Sequence, residues 1–224
     1  MSTDHQHTHH HSQPDPAADQ FSAGFWDTHY ATKTRLWSGR PNRWLVTVAA
    51  DLTPGRALDA GCGEGADAIW LAERGWQVNG TDVSQVAVER ARAAAEQAGV
   101  ADRITFAVGD LRDDIPAEQA YDLVSAQYLH LPSAIRRPAY ARLAAAVAPG
   151  GTVLLVGHHP RDLDGPMPRP QDPDLFADEQ ELAAAFDERD WEVVVAQARP
   201  HPATHPDGHE VTVYDTVVTA RRRG

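Results

Sequence analysis

From residue 56 onward the chain alternates short apolar runs with longer segments whose apolar residues recur at helical spacing. Ala57 and Leu58 form the first run, which ends in Asp59. Residues 66–74 carry Ala66, Ile69, Trp70 and Ala72 on one helical stripe, and Gly75 stops it. The run at 76–81 predicts a second strand ending at Asp82. Ser84 then caps an alanine-rich helix that reaches Ala98, with Gly99 at its end. A third strand is expected at 103–108, a fourth at 121–126, a helix at 133–148 and a fifth strand at 152–156. Pro149-Gly150-Gly151 reads as the turn before that last strand. Strand and helix alternating in this way predict a parallel sheet with helices on both faces.

The C-terminal part breaks the rhythm. After a proline-rich loop (160–173) and a helix near 179–188, two strand-like runs follow at 191–198 and 211–220 with no helix-length segment between them. They are expected to pair as a hairpin, antiparallel at the sheet edge. The expected architecture is therefore α/β and doubly wound: a mostly parallel seven-stranded sheet with a C-terminal antiparallel hairpin. Before the first strand, residues 21–51 concentrate aromatic and apolar side chains (Phe25, Trp26, Tyr30, Leu36, Trp37, Trp44, Leu45, Val46). Residues 44–50 look helical, with Pro41 placed to start that helix. This aromatic segment is a candidate lid over a ligand site.

Residues 1–20 hold no hydrophobic period and read as a disordered tail, leaving 21–224 as one domain. His5, His7, His9, His10 and His11 in that tail are potential metal ligands, although a floppy ligand set binds weakly. A net charge of −12 repels phosphate backbones, so neither nucleic acid nor an anionic membrane is the expected partner. Arg221–Arg223 is expected to be a solvated end. Cys62 is the single cysteine, which excludes an internal disulfide. No apolar run has the length of a membrane span and the N-terminal residues show no signal-peptide core, so a cytoplasmic location is expected.

The chemistry concentrates at 56–65, RALDAGCGEG. A strand enters a turn bearing Gly61, Gly63 and Gly65 and continues into a helix, an arrangement that holds nucleotide-like ligands. Gly61-x-Gly63-x-x-Ala66 also fits the dinucleotide fingerprint, and Asp82 lies at the right remove to grip a ribose. Four features favour a methyl donor over a dinucleotide. Asp59 places an anion before the turn, where it suits an amine and a sulfonium and repels a pyrophosphate. Gly65 extends the turn, Gly109-Asp110 puts an acceptor after the third strand, and the terminal hairpin is foreign to the dinucleotide pattern.

With these residues the sequence resembles class I S-adenosylmethionine-dependent methyltransferases, from about Phe25 to Arg223. The opening WDTHYATKTRLWSGRPNRWL and the ending DLFADEQELAAAF…WEVVVAQAR look most like the tellurite-resistance and thiopurine S-methyltransferase-like branch. The resemblance implies a Rossmann-like methyltransferase fold and S-adenosylmethionine as cofactor, with S-adenosylhomocysteine as product. It implies that Asp59 and the backbone from Gly61 through Cys62 and Gly63 to Gly65 face the methionine part. Asp82, with Val83 beside it, would take the ribose, and Asp110 with the Leu111 N–H would read adenine. Gln127 would reach the methionine amine or carboxylate, and Trp37 would cover the site.

In-line methyl transfer needs alignment and exclusion of water, and it requires no metal. A thiolate, selenide or tellurium oxyanion needs no strong base, whereas a hydroxyl or protonated amine does. His130 and His158, at the ends of the fourth and fifth strands, are the candidate bases. Tyr30, Tyr128 and His159 are candidate walls of the acceptor pocket. Neighbours such as His158 and His159 point to opposite faces of an extended chain, so at most one faces the pocket. The absence of an additional domain points to a small-molecule acceptor. The rival readings are an NAD-type oxidoreductase and a non-catalytic cofactor-binding or metal-handling protein.

Overall fold

The computed structural model describes residues 21–114 and 116–224, and the histidine-rich stretch 1–20 lies outside them. Among the described residues two helices precede the sheet: α1 (Ala23–Ala31) and α2 (Arg43–Ala49). The alternating core follows as β1 (Arg56–Ala60), α3 (Ala66–Glu73), β2 (Gln77–Asp82), α4 (Gln85–Ala98), β3 (Ile104–Val108), β4 (Tyr121–Gln127), α5 (Ser133–Ala146) and β5 (Val147–His158). A short α6 (Glu179–Ala183) and the hairpin strands β6 (Trp191–Thr204) and β7 (Glu210–Arg222) complete it.

The seven strands lie in the order β3-β2-β1-β4-β5-β7-β6. β1 to β5 pair in parallel, and β7 enters antiparallel between β5 and β6. The expected architecture is thus the observed one. Ala57 to Ala60 of β1 are buried without exception, as a central strand covered on both faces requires. One face packs Leu143, Tyr140, Phe186 and Trp191. The other packs Leu45, Leu71, Trp76 and Val88. Burying such side chains contributes about 1.5–3 kcal/mol each, so the sheet is clamped from both sides.

Local signals decide the ends of the elements. The Ser84 hydroxyl accepts from the Ala87 N–H at 3.1 Å, and Gly99 closes α4 with φ 73°. Three departures from expectation have local causes. The turn expected at Pro149-Gly150-Gly151 is an irregularity within β5: the β4–β5 register jumps between Tyr121↔Val147 and Leu123↔Thr152. The helix expected at 179–188 is the shorter α6, begun by Asp178, whose carboxylate accepts from Glu181 N–H at 2.8 Å. Strand β6 runs six residues past the expected 198, to Thr204↔Glu210, while β7 begins one residue before the expected 211. Pro200 and Pro202 are tolerated there because β6 is an edge strand, where a missing N–H leaves no ladder bond broken.

Strand order reverses between β1, whose next strand β2 lies to one side, and β4 on the other. A crevice opens at that point beyond the C-terminal ends of the parallel strands. Because β7 runs the opposite way, its early residues lie at this same edge: Asp215 pairs with His158.

Candidate functional site

A cavity of about 950 Å³ occupies the crevice. Its floor comes from the loops after β1, β2, β3 and β4, and residues between Phe21 and Arg43 roof it. His158, Met167, Arg169, His201 and Ala203 form the far wall.

The glycine turn is tied to the end of β2. Gly61 and Cys62 N–H groups donate to the Thr81 carbonyl at 2.7 and 2.9 Å. Gly63 N–H donates to Asp82 Oδ2 at 2.8 Å, and Ser84 N–H donates to Oδ1 at 2.9 Å. Gly61 and Gly63 have φ of 74° and 53°, and a Cβ at Gly63 would lie 3.0 Å from the Tyr30 hydroxyl. Gly65 is a correction. It turns away from the cavity, and a Cβ there would meet Ala91 at 2.9 Å and Phe106 at 3.1 Å. Its smallness serves the packing of the turn on α4.

Three carboxylates without a cationic partner converge on this floor. Asp59 is buried with Oδ2 unpartnered. Burial, with Asp67 and Asp82 adding repulsion, pushes its carboxyl well above the usual range. Asp67 is raised to about 6, again chiefly by burial, and Asp82 is raised for the same reason. Gln127 Nε2 donates to Asp67 Oδ2 at 2.5 Å and to Ser125 Oγ at 3.0 Å, leaving its own Oε1 buried and unpartnered. Such a floor favours a ligand bearing positive charge and N–H donors. An ammonium and a sulfonium meet that demand, and a pyrophosphate does not. Val83, Asp110 and Leu111 line the cavity. Both Asp110 oxygens are held by the Arg112 guanidinium, which lowers that carboxyl. Cys62 is buried, and burial pushes its thiol up.

The roof is stitched to the start of α3. Glu64 accepts from the N–H groups of Leu36 and Trp37, each at 3.1 Å through Oε2, and pairs with Arg90 at 3.0 Å. Asp67 Oδ1 accepts from Asn42 N–H at 2.6 Å. Trp37 Nε1 donates to the Tyr30 hydroxyl at 3.0 Å, so both lie over the glycine turn. Asp27 of α1 binds the Ser84 hydroxyl at 2.6 Å and the Val86 N–H at 3.2 Å, which docks α1 on α4.

On the opposite wall, buried Asp215 gathers four side chains. Tyr128 Oη, Trp44 Nε1 and His201 Nε2 approach Oδ2 at 2.7, 2.8 and 2.9 Å. His158 Nδ1 lies 3.8 Å from Oδ1. Despite burial, these donors hold the Asp215 carboxyl below its ordinary value. The His158 imidazole is lowered, first by burial, and Arg169 Nη1 sits 3.4 Å from its Nε2. A neutral imidazole beside a buried carboxylate is equipped to take a proton, because the carboxylate stabilises the imidazolium that results. Tyr128 and His130 hold φ of 51° and 50°, local strain of the kind that gathers at functional sites.

Two further expectations are corrected. His130 does not line the main cavity. It lies behind His158, ring centroids 5.2 Å apart, in a separate small void with Arg136 and Tyr140. Burial lowers it to about 4. His159 turns to the other face, as alternation along an extended chain dictates: Nδ1 accepts from Arg161 N–H at 3.0 Å and Nε2 meets Glu179 at 3.1 Å. It fixes the turn after β5 and is absent from the cavity wall. Sequence reasoning missed Glu64, Asp67, Arg169, His201 and Asp215. Of these only Asp215 left a signal, a lone acid inside the apolar run 211–220.

The switch-point cavity, the glycine turn and the cationic demand of the floor are features of the class I S-adenosylmethionine-dependent methyltransferase fold. Residues 57–151 match the family "Methyltransferase domain". A 2-heptyl-1-hydroxyquinolin-4(1H)-one methyltransferase of Mycobacteroides abscessus is 32% identical over 140 residues, 59% of this chain and 61% of that protein. The tRNA 5-carboxymethoxyuridine methyltransferase of Escherichia coli K12 is 42% identical over 94 residues, 41% of this chain and 35% of that protein. The chain therefore spans less than two thirds of the length of these relatives. A structure from work on conversion of a disulfide bond into a thioacetal group during echinomycin biosynthesis superposes with TM-score 0.72 at 25% identity, covering 90% and 92% of the two chains. TehB from Haemophilus influenzae superposes with TM-score 0.68 at 19% identity, covering 90% of this chain and 67% of that one. This last likeness is one of fold. Among the described residues no helix is long and apolar enough to cross a membrane.

Proposed function

We propose that this chain methylates a small-molecule nucleophile bearing sulfur, selenium, tellurium, nitrogen or oxygen. The observation that carries the reading is the division of one cavity into an anionic floor and a wall holding His158 against Asp215. When bound, S-adenosylmethionine supplies an activated methyl group and leaves as a neutral thioether. The free Oε1 of Gln127 and the carboxylate of Asp59 are suited to its ammonium, and the second lone pairs of Asp82 to its ribose. Asp110 is the acceptor for adenine, alongside Leu111 and Val83, and Trp37 with Tyr30 excludes water.

For an acceptor that must lose a proton, His158 receives it and Asp215 stabilises the imidazolium; Tyr128 bounds the same space. A preformed thiolate or chalcogen oxyanion bypasses that step. Relatives of this class include a tRNA methyltransferase. A net charge of −12 favours a small acceptor over nucleic acid. The test is a methylation screen with mass-spectrometric readout over thiols, selenite, tellurite, hydroxylated aromatics and small amines. Turnover confined to RNA would overturn the small-molecule reading.

A further inference from the structure

The tip of the β6–β7 hairpin carries chemistry that methyl transfer does not use. Its sequence is His205-Pro206-Asp207-Gly208-His209. His205 N–H donates to the His209 carbonyl and Gly208 N–H donates to the His205 carbonyl, both at 2.8 Å. Gly208 has φ 99°. This is a three-residue hairpin loop closed by a left-handed glycine, a form with little freedom. It makes His205 and His209 a cross-strand pair on one face, ring centroids 4.7 Å apart. Asp207 folds back between them, its Oδ1 2.7 Å from His205 Nδ1 and 2.5 Å from His209 Nδ1. One ligand atom from each of the three residues falls within 4.8 Å of the others.

We propose that this hairpin tip is a binding site for a borderline divalent transition metal of the Zn²⁺ type, ligated by His205, Asp207 and His209. Two imidazoles and one carboxylate match that class, whereas Ca²⁺ and Mg²⁺ require more oxygen ligands than the turn offers. The turn holds all three ligands within five residues through two backbone hydrogen bonds, a proline and a left-handed glycine. Chain ordering on binding is therefore small, in contrast to a ligand set on a floppy segment. Three protein ligands leave a coordination position open to water or an exogenous group. Ala203 and His201, two and four residues before His205, line the main cavity. The ion would therefore brace the strand that forms the far wall of the methylation site. The proposal does not depend on the acceptor or on methyl transfer.

The test uses the full chain with His5, His7, His9, His10 and His11 changed to Asn, so that the tail cannot compete. Titration with ZnCl₂ against a chromogenic chelator is expected to give one ion per chain. His209→Ala and His205→Ala should each weaken binding roughly a hundredfold, the loss of one ligand from three. Asp207→Asn keeps a turn-compatible side chain and should weaken binding less. A Zn²⁺ addition followed by ¹⁵N imidazole resonances of the unsubstituted hairpin provides a second readout free of folding effects: shifts at His205 and His209 are expected. No stoichiometric binding in the tail-substituted chain, equal affinity in the His205→Ala/His209→Ala double variant, or unmoved resonances would each overturn the site.

Discussion

The unpaired carboxylates beneath the cavity make cofactor affinity a function of pH. Asp67 titrates near 6 in the unliganded chain, against an ordinary value of 3.8, because burial penalises its charged form. A cation placed beside it favours that charged form, so binding expels the proton. Returning the group to its ordinary value is a shift of about two units, ~3 kcal/mol or roughly a hundredfold in affinity. The sign follows from linkage. Affinity for S-adenosylmethionine should rise with pH from about 4 through 7, and be insensitive below the range in which Asp67 ionises in the complex. In the unliganded chain the trend reverses: a carboxyl whose folded pKa is raised stabilises the fold below its unfolded value and loses that contribution as pH rises through 6. Isothermal titration at pH 5 to 8, in two buffers of different ionisation heat, counts the protons released. S-adenosylhomocysteine keeps the ammonium but lacks the sulfonium, so its slope should be shallower. Asp67→Asn should flatten the pH 5–7 portion and weaken binding at pH 8. An affinity independent of pH for both ligands, or an undiminished slope in Asp67→Asn, would refute the reasoning.

Three further outcomes can be checked. Asp82→Ala should weaken S-adenosylmethionine binding by about 2–3 kcal/mol in isothermal titration, since it removes charge-assisted bonds from a buried site and releases the Gly63 N–H. His158→Ala should slow methylation of a hydroxyl or amine acceptor while sparing a thiolate, and His130→Ala should leave that selectivity unchanged because its ring lies outside the cavity; equal losses on both acceptor types would make His158 structural. Glu64→Ala should free the Leu36–Trp37 strap from the glycine turn, raising protection-free amide exchange at 36–37 and weakening cofactor binding by about 1–2 kcal/mol; unchanged exchange would mean that packing of Trp37 alone holds the roof.

What the sequence disclosed and what it withheld divide along the distance over which each signal acts. The alternating core, the Ser84 cap and the Gly99 stop are local patterns, and each is legible within a few residues. So are Asp59, Asp82 and Asp110, since the end of a strand is itself a local feature. Helix α1 was not legible because only Trp26 and Tyr30, four apart, share a face while Phe25 stands off it; its docking depends on Asp27 reaching Ser84, far along the chain. The outer hairpin was hidden by Pro200 and Pro202, which argue for a loop unless the strand is known to be at an edge. Glu64 and Asp67 flank the start of α3, a position where the helix dipole makes acids ordinary, so neither stands out in the sequence. Their second task, accepting from Leu36, Trp37 and Asn42, exists only once the roof is folded back.

Asp215 shows how a remote signal becomes readable once topology is known. Within Val213-Tyr214-Asp215-Thr216-Val217 it is a single acid in a strand otherwise fit for burial. An isolated buried carboxylate is costly, so its presence demands donors nearby. The antiparallel placement of β7 against β5 sets Asp215 opposite His158, and β6 brings His201 from the other side. Trp44 and Tyr128 complete the set from α2 and from the strained turn after β4. One acid thus holds three side chains from three separate elements and stands 3.8 Å from a fourth, His158, which makes it the point where the fold of the C-terminal half sets the shape of the acceptor wall.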